Sequence, residues 1–231
     1  MKRTIACMPP RTPATSAARS RARTGPASAL LVRHGQIATT GKFLPGRAPG
    51  LHLTQDGAAQ AKAAAGRIAE LGAAPVAVYA SPLERAVETA QPIAEALGLE
   101  VRIEEGLREC DPGNWTGKSL ASLRRRPEWR SVLLAPSTFR FPEGESFAEL
   151  QGRIVETLVG LFGRHEGSSF VAVSHADPIR AAISWAAGAP MDMLQRVAVS
   201  PCSVSVISDV DGVPCLLCAN STASLAELSF G

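Results

Sequence analysis

The sequence has no long hydrophobic run, few aromatic residues and little excess charge. No stretch of roughly eighteen apolar residues occurs in its 231 residues, so we predict no membrane-spanning helix and no membrane partner. The formal net charge of +3 is too small to indicate a nucleic-acid partner. Five cysteines are an odd number for a disulfide framework in a chain of this length. A reducing compartment is therefore favoured, and we predict a cytoplasmic protein.

Metal ligands at useful spacing are also scarce. The sequence shows no cluster of carboxylates suited to Mg²⁺. Cys215 and Cys218 form a single C-x-x-C pair, without a second pair at the spacing typical of zinc sites. We therefore predict buried thiols at these two positions and neither a metal nor another cofactor.

The amino-terminal segment lacks acidic residues altogether, because the first one in the chain is Asp56. Basic residues are instead scattered among proline, serine, threonine and alanine at Lys2, Arg3, Arg11, Arg19, Arg21 and Arg23. We predict a basic disordered tail over residues 1–27. No apolar stretch follows these charges, which disfavours a secretory signal. An organelle transit peptide and an upstream start codon, with Met8 as an alternative start, both remain open.

From residue 28 onward, short apolar runs alternate with segments of helical periodicity. This alternation predicts an α/β domain over residues 28–231, a three-layer sandwich with a mainly parallel central sheet and helices on both faces. Residues 118–163 are expected to supply a helical cap region within it. The sequence leaves the oligomeric state open, a homodimer included.

Several polar residues follow the apolar runs that are predicted as strands. Arg33 and His34 end the first run, Ser81 and Arg85 follow the second, and His175 ends another. Ligands of such sheets bind beyond the carboxyl ends of the strands. Two arginines and two histidines at that edge suit phosphate oxygens and phosphoryl transfer through a phosphohistidine.

Five motifs in one order then resemble the histidine phosphatase superfamily, in its phosphoglycerate mutase-like branch. They read R-H-G, S-x-L-x-R-A-x-x-T-A, L-x-E-x-x-x-G-x-W-x-G, P-x-G-E-S and S-H-x-x-x-I-R at residues 33–35, 81–90, 107–117, 142–146 and 174–180. The 41–53 loop and the 109–111 stretch are similar to a bacterial subgroup that is labelled as phosphomutases. The sequence departs from the family pattern at Gln36, Ile37 and Ala176, the last of which replaces a glycine.

The resemblance implies a role for each matching residue. His34 would be the nucleophile, and Glu109 the general acid and then the base, with Asp111 as an alternative two residues away. His175 would stabilise charge in the transition state. The phosphate-binding groups would be Arg33, Arg85, Thr40 and the backbone of Ala176.

The resemblance further implies a metal-independent phosphatase that hydrolyses a small phosphorylated metabolite. A phosphoglycerate mutase-like phosphomutase is the alternative, and a non-catalytic module that binds a phosphorylated ligand is a third possibility. Arg47 could touch substrate or be an exposed loop residue. The basic run from Arg124 to Arg126 could recognise substrate or form a solvated face.

Overall fold

The structure is a computed structural model that describes residues 25–223. Most of the segment predicted as a basic tail, residues 1–24, lies outside the described residues, as do residues 224–231 of the predicted domain. The first strand begins at Ala27, one residue before the predicted start of the domain. Within the described residues, no helix is long and apolar enough to cross a membrane.

Helices and strands alternate along the chain, which confirms the α/β class. The strands are β1 (Ala27–Arg33), β2 (Val78–Ala80), β3 (Val101–Ile103), β4 (Ser169–Ser174), β5 (Val204–Val210) and β6 (Val213–Ser221). The helices are α1 (Gln55–Ala69), α2 (Glu84–Leu97), α3 (Leu120–Leu123), α4 (Trp129–Leu134), α5 (Phe147–Arg164) and α6 (Ala176–Ala186). Short 3₁₀ turns occur at Glu105–Leu107, Gly113–Trp115, Pro136–Thr138 and Met191–Arg196.

The strands form one sheet in the order β3-β2-β4-β1-β5-β6. The first four of these are mutually parallel, whereas β5 pairs antiparallel with β1 and with β6. The carboxyl ends of β1 and β4 are adjacent, since Arg33 is in register with Ser174. This pairing places His34 and His175, which follow the two strands, side by side.

Helices cover both faces of the sheet. One face buries Leu30, Val32, Val171 and Val173 against α1 and α2. The other buries Ala29, Leu31, Phe170 and Ala172 in a core with α5 and α6. Strict alternation along β1 and β4 thus divides the apolar residues between the two layers, as in a sheet that is covered on both sides.

Several predicted boundaries are confirmed, and others shift. Thr54 caps α1, and its side chain accepts a hydrogen bond from the backbone N–H of Gly57. Gly98 ends α2 in the left-handed conformation, with φ of 66°. Gly72 does not end α1, because the helix stops at Ala69 and its cap, Glu70, is right-handed.

The region predicted as a helical cap, residues 118–163, contains three helices of unequal kind. The short helices α3 and α4 flank the carboxyl edge of the sheet, and the long helix α5 packs against β1 and α6 as part of a main layer. The C-x-x-C pair lies on the edge strand β6, where Cys215 is exposed and Cys218 half-buried. The prediction of buried thiols is therefore wrong for Cys215, because β6 pairs with a strand on one side only.

Candidate active site

His34 leaves the end of β1 with its imidazole ring almost completely buried. Its Nδ1 lies 2.7 Å from the carbonyl oxygen of Gly35. Because a carbonyl can only accept, Nδ1 carries the hydrogen, and Nε2 is left with a free lone pair. Arg85 Nε donates to that lone pair at 3.3 Å. Burial, followed by the charges of Arg85 and Arg33, lowers the pKa of His34 to about 3, so the ring is neutral.

Two arginines flank this ring, Arg85 buried and Arg33 half-buried. Arg85, in the first turn of α2, has no exposed surface, and its Nη2 donates to the carbonyl of Gly46 at 2.7 Å. Arg33 anchors itself through Nη1 to the carbonyl of Val199, also at 2.7 Å. Arg85 Nη1 and Arg33 Nε are buried without an acceptor among residues 25–223. Burial lowers the pKa of both guanidinium groups. The charge of Arg180 lowers that of Arg33 further, and the charge of Arg33 lowers that of Arg85, yet both groups keep donors for an anion.

His175 follows β4 and is completely buried as the N-cap residue of α6. Its ring centroid lies 5.1 Å from that of His34, at an interplanar angle of 60°. Its Nε2 pairs with the hydroxyl of Ser81 at 2.8 Å, and its Nδ1 has no partner within the described part of the chain. When Ser81 donates, the hydrogen of His175 sits on Nδ1 and can be donated. Burial is the main reason why the pKa of His175 lies well below its usual range, and the neighbouring His34 and Arg85 lower it further.

Glu109 follows the 3₁₀ turn Glu105–Leu107 and lines the same cavity as His34. Burial raises the pKa of its carboxyl group, and the nearby charge of Asp177 raises it further. Asp111, the alternative acid, does not line this cavity. Its carboxylate instead accepts from the backbone N–H of Gly113 at 2.9 Å and lies 3.7 Å from Arg47. The geometry therefore favours Glu109 over Asp111 as the group that can exchange a proton with a ligand.

A network of charged groups, which we call the Glu145 network, supports the Glu109 loop. Glu145 accepts from Arg153 through both oxygens, at 2.9 Å each, and from Arg47 Nη2 at 3.1 Å. Arg47 Nε also donates to the backbone carbonyl of Glu109 at 2.8 Å. Arg153 Nη1 donates to the carbonyl of Arg108 at 3.0 Å. Arg47 is thus not a free loop residue, and it does not line the cavity, since it ties the Glu109 loop to Glu145.

Backbone contacts hold the nucleophile's loop in a similar way. The N–H of Gly35 donates to Thr89 Oγ1 at 3.0 Å, and the Thr89 hydroxyl donates to the carbonyl of Arg85 at 2.7 Å. Ser174 Oγ donates to the carbonyl of Leu107 at 2.7 Å, which joins β4 to the turn before Glu109. Reasoning from the sequence assigned no role to Thr89, Glu145 or Arg153, although all three lie in or near the quoted motifs.

The remaining predicted residues also reach the cavity. Thr40 Oγ1 accepts from the N–H of Ile37 at 3.0 Å, and the hydroxyl hydrogen stays free to donate. Ala176 lines the cavity at the start of α6. Arg124 lines its outer part with an exposed side chain. Among the described residues, no group of three or more His, Cys, Asp or Glu side chains is placed to hold a metal ion.

A family model described as "Histidine phosphatase superfamily (branch 1)" matches residues 29–222. The chain belongs to this superfamily. A bifunctional protein of Mycobacterium tuberculosis is 33% identical over 208 residues, which cover 88% of this chain and 56% of the relative. The chain therefore spans little more than half the length of that curated relative.

Two further comparisons cover most of both chains. The protein named "Probable phosphoglycerate mutase GpmB" from Erwinia tasmaniensis is 32% identical over 178 residues, covering 76% of this chain and 81% of the relative. The crystal structure of a phosphoserine phosphatase mutant from Entamoeba histolytica, in complex with phosphoserine, has a TM-score of 0.76 and 27% identity. It covers 86% of this chain and 99% of the other. The superfamily thus includes proteins named as phosphatases and as mutases.

Proposed function

We propose that this chain is a phosphatase that hydrolyses a small phosphomonoester through a phosphohistidine at His34. The observation that carries the proposal is the state of His34: a buried, neutral imidazole whose Nε2 lone pair faces Arg85 Nε at 3.3 Å. A neutral imidazole is nucleophilic, and a neighbouring guanidinium group is the natural ligand of a phosphoryl oxygen. An anion that is bound there would draw the Arg85 donor to itself and release the lone pair for attack.

In the first step, His34 Nε2 would form a bond to phosphorus as the bond to the ester oxygen breaks. The leaving oxygen would take a proton from Glu109, whose raised pKa favours the protonated form that this step requires. Arg33, Arg85 and His175 would donate to the phosphoryl oxygens as charge develops on them. Thr40 and the N–H of Ala176 would complete the phosphate contacts, the latter from the positive end of α6.

In the second step, water would attack the phosphorus of phosphohistidine. Glu109, now ionised, would take a proton from that water, and the bond between phosphorus and Nε2 would break. The products are inorganic phosphate and the original imidazole with its hydrogen on Nδ1. Permanently charged guanidinium groups supply the positive charge in both steps, so we propose no cofactor.

A phosphomutase shares the first step and differs in what accepts the phosphoryl group. The relative named as a phosphoglycerate mutase supports this second candidate. The short separation between Glu109 and His175 in the chain favours hydrolysis, because mutases of the cofactor-dependent type carry a longer insertion there that helps to exclude water.

The test measures phosphate release from p-nitrophenyl phosphate and a panel of sugar phosphates, alongside mutase activity with a bisphosphoglycerate primer. We expect phosphate release and an acid-labile phosphoenzyme, both of which His34→Ala abolishes. His52→Ala is the matched control, because that histidine is exposed and pairs with Glu88 away from the cavity. Full activity of His34→Ala would refute the mechanism. Transfer of the phosphoryl group to a second hydroxyl, without release of phosphate, would establish the mutase. Phosphate binding without turnover would favour a non-catalytic module.

We propose the cytoplasm as the compartment and a small phosphorylated metabolite as the partner, with homodimer formation untested. The division into a tail over residues 1–27 and a catalytic domain from residue 28 likewise stays a prediction. Limited proteolysis of the full chain, followed by mass spectrometry of the resistant fragment, tests that boundary.

A further inference from the structure

The cavity beside His34 has two chemically different ends. Its volume is about 650 Å³, within the range of roughly 300–1,000 Å³ that is typical of sites for drug-sized ligands. The inner end carries Arg33, His34, Thr40 and Glu109. The rest is lined mainly by large apolar side chains, which we call the apolar wall. Its accessible residues are Phe43, Leu44, Leu120, Trp129 and Leu133, and the buried residues Val132, Phe141 and Phe147 lie behind them.

Helix α4 contributes three residues to the apolar wall. Val132 and Leu133 lie three and four residues after Trp129, so both are on the face of the helix that Trp129 occupies. Val132 on this face is buried in the core, whereas Leu133 meets the cavity and keeps 44% of its surface exposed. Phe43, from the loop after β1, is 42% exposed at the same cavity. Exposed apolar side chains that cluster at a concave site mark a surface that a ligand covers.

Packed aromatic rings back the wall and hold it in place. Trp115 is almost fully buried and stacks on Trp129 with ring centroids 6.2 Å apart. It also meets Phe141 edge-on at 5.6 Å, and Phe141 packs on Phe147 at 5.4 Å. Because each ring is fixed by its neighbours, the wall is formed before a ligand binds. An apolar ligand therefore buries its surface without the entropic cost of ordering the side chains of the wall.

Polar groups near the wall are few and mostly engaged. Arg180 Nε donates to the carbonyl of Val197 at 2.9 Å, and its Nη1 donates to Asp177 and Gln195. The remaining charged residue on the outer part, Arg124, projects from an exposed position. A leaving group rich in hydroxyl groups would therefore lose water against the wall, where Arg124 is one of few polar partners.

We infer that the substrate is a phosphomonoester whose leaving group carries an apolar body, aromatic or alicyclic, seated against the apolar wall. The inference rests on the proposed function, since it assumes that the phosphoryl group lies beside His34. It assigns substrate selection to Phe43, Trp129 and Leu133, which the function itself does not specify.

The test compares two primary alkyl esters whose alcohols are of similar acidity, 3-phenylpropyl phosphate and glycerol 3-phosphate. Burial of one phenyl ring predicts a kcat/KM about ten- to a hundredfold higher for the phenylpropyl ester, mainly through a lower KM. The double variant Phe43→Ser/Leu133→Ser should reduce that ratio by about threefold or more, because two apolar contacts are lost. Val213→Ser is the control, since Val213 is 65% exposed on β6 away from the cavity, and it should keep the wild-type ratio.

The outcomes separate the two proposals. Hydrolysis of both esters with equal preference, or a preference for glycerol 3-phosphate, overturns the inference and leaves the phosphatase intact. A double variant that keeps the full ratio also overturns it. If the double variant fails to fold, the wild-type ratio decides alone. Wild-type protein that releases no phosphate from either ester or from p-nitrophenyl phosphate refutes the proposed function, and the inference with it.

Discussion

Substitution Glu145→Gln tests whether the Glu145 network positions Glu109 for proton transfer. Glu145 receives two hydrogen bonds from Arg153 and one from Arg47, and it also accepts from the backbone N–H of Asp111 at 3.2 Å. The substitution removes the negative charge between two arginines and replaces one acceptor with a donor. That donor faces the N–H groups which the lost oxygen accepted, so the 109–111 loop should shift.

The magnitude follows from the burial of the network. Glu145 is 12% exposed, whereas the two arginines are 23% and 30% exposed, so the charges are partly solvated. The loss of one partner costs about 3–5 kcal/mol for a fully buried pair and about 0–1 kcal/mol at the surface. We expect a loss of about 2–3 kcal/mol in the free energy of unfolding, from a total of about 5–15 kcal/mol. The variant therefore still folds, and its activity can be measured.

The assay uses substrates with different needs for the general acid. In the proposed mechanism, the leaving group of an alkyl phosphate takes a proton from Glu109. We expect its kcat to fall about tenfold or more, since such catalysis contributes about 10²–10⁴-fold. The kcat for p-nitrophenyl phosphate should change little, because p-nitrophenolate leaves without protonation. Glu105→Gln, which breaks an exposed pair with Arg108, should leave both unchanged. Equal losses for the two substrates would show that Glu145 acts on stability alone and would refute the positioning role.

Three more predictions address the fold and its titration. Gly57→Ala should lower the free energy of unfolding, measured in urea, by about 1–3 kcal/mol, because the new methyl group would clash with the backbone of the loop after β1. The control is Gly66→Ala on the same helix, where the space is open and the free energy of unfolding should rise by about 0.5–1 kcal/mol. Asp177→Asn removes a negative charge that raises the pKa of Glu109, so the loss of kcat with rising pH should begin at lower pH; a profile unchanged from wild type would contradict this coupling. His34 has its pKa lowered to about 3, so unfolding takes up a proton below pH about 6.5 and stability should fall as the pH drops from there towards 3. His34→Asn should flatten that dependence, and an equally steep curve in the variant would exclude His34 as a source.

The sequence predicts most of the fold because its signals are local. Apolar runs of four residues mark β1 and β4, Thr54 marks the start of α1, and Gly98 marks the end of α2. The end of α1 is harder to predict. Leu71 continues the apolar pattern beyond the helix and is buried in the core under α1, so periodicity extends past the last helical residue.

In the candidate site, too, residues next to local sequence signals could be predicted and residues held by long-range contacts could not. Strand ends and motifs identify His34, Arg85 and His175, because each lies directly after a strong local signal. The role of Arg153 could not be predicted in this way, because the residue lies in the middle of α5 and its carbonyl partners are about 45 residues away in the chain. Long-range hydrogen bonds to loop carbonyls leave no periodic trace in a sequence. The apolar wall was missed for a related reason, as α4 is short and its residues resemble an ordinary core face.

The two guanidinium groups beside His34 repel each other, and burial weakens the hydration of both. Apolar side chains of equal volume at these two positions would raise the free energy of unfolding. The protein thus keeps an unfavourable pair of like charges at the carboxyl edge of its sheet, and a tetrahedral oxyanion that binds there would offset their repulsion. Thermal stability and occupancy by such anions should rise together, so that a melting curve reports directly on what this chain binds.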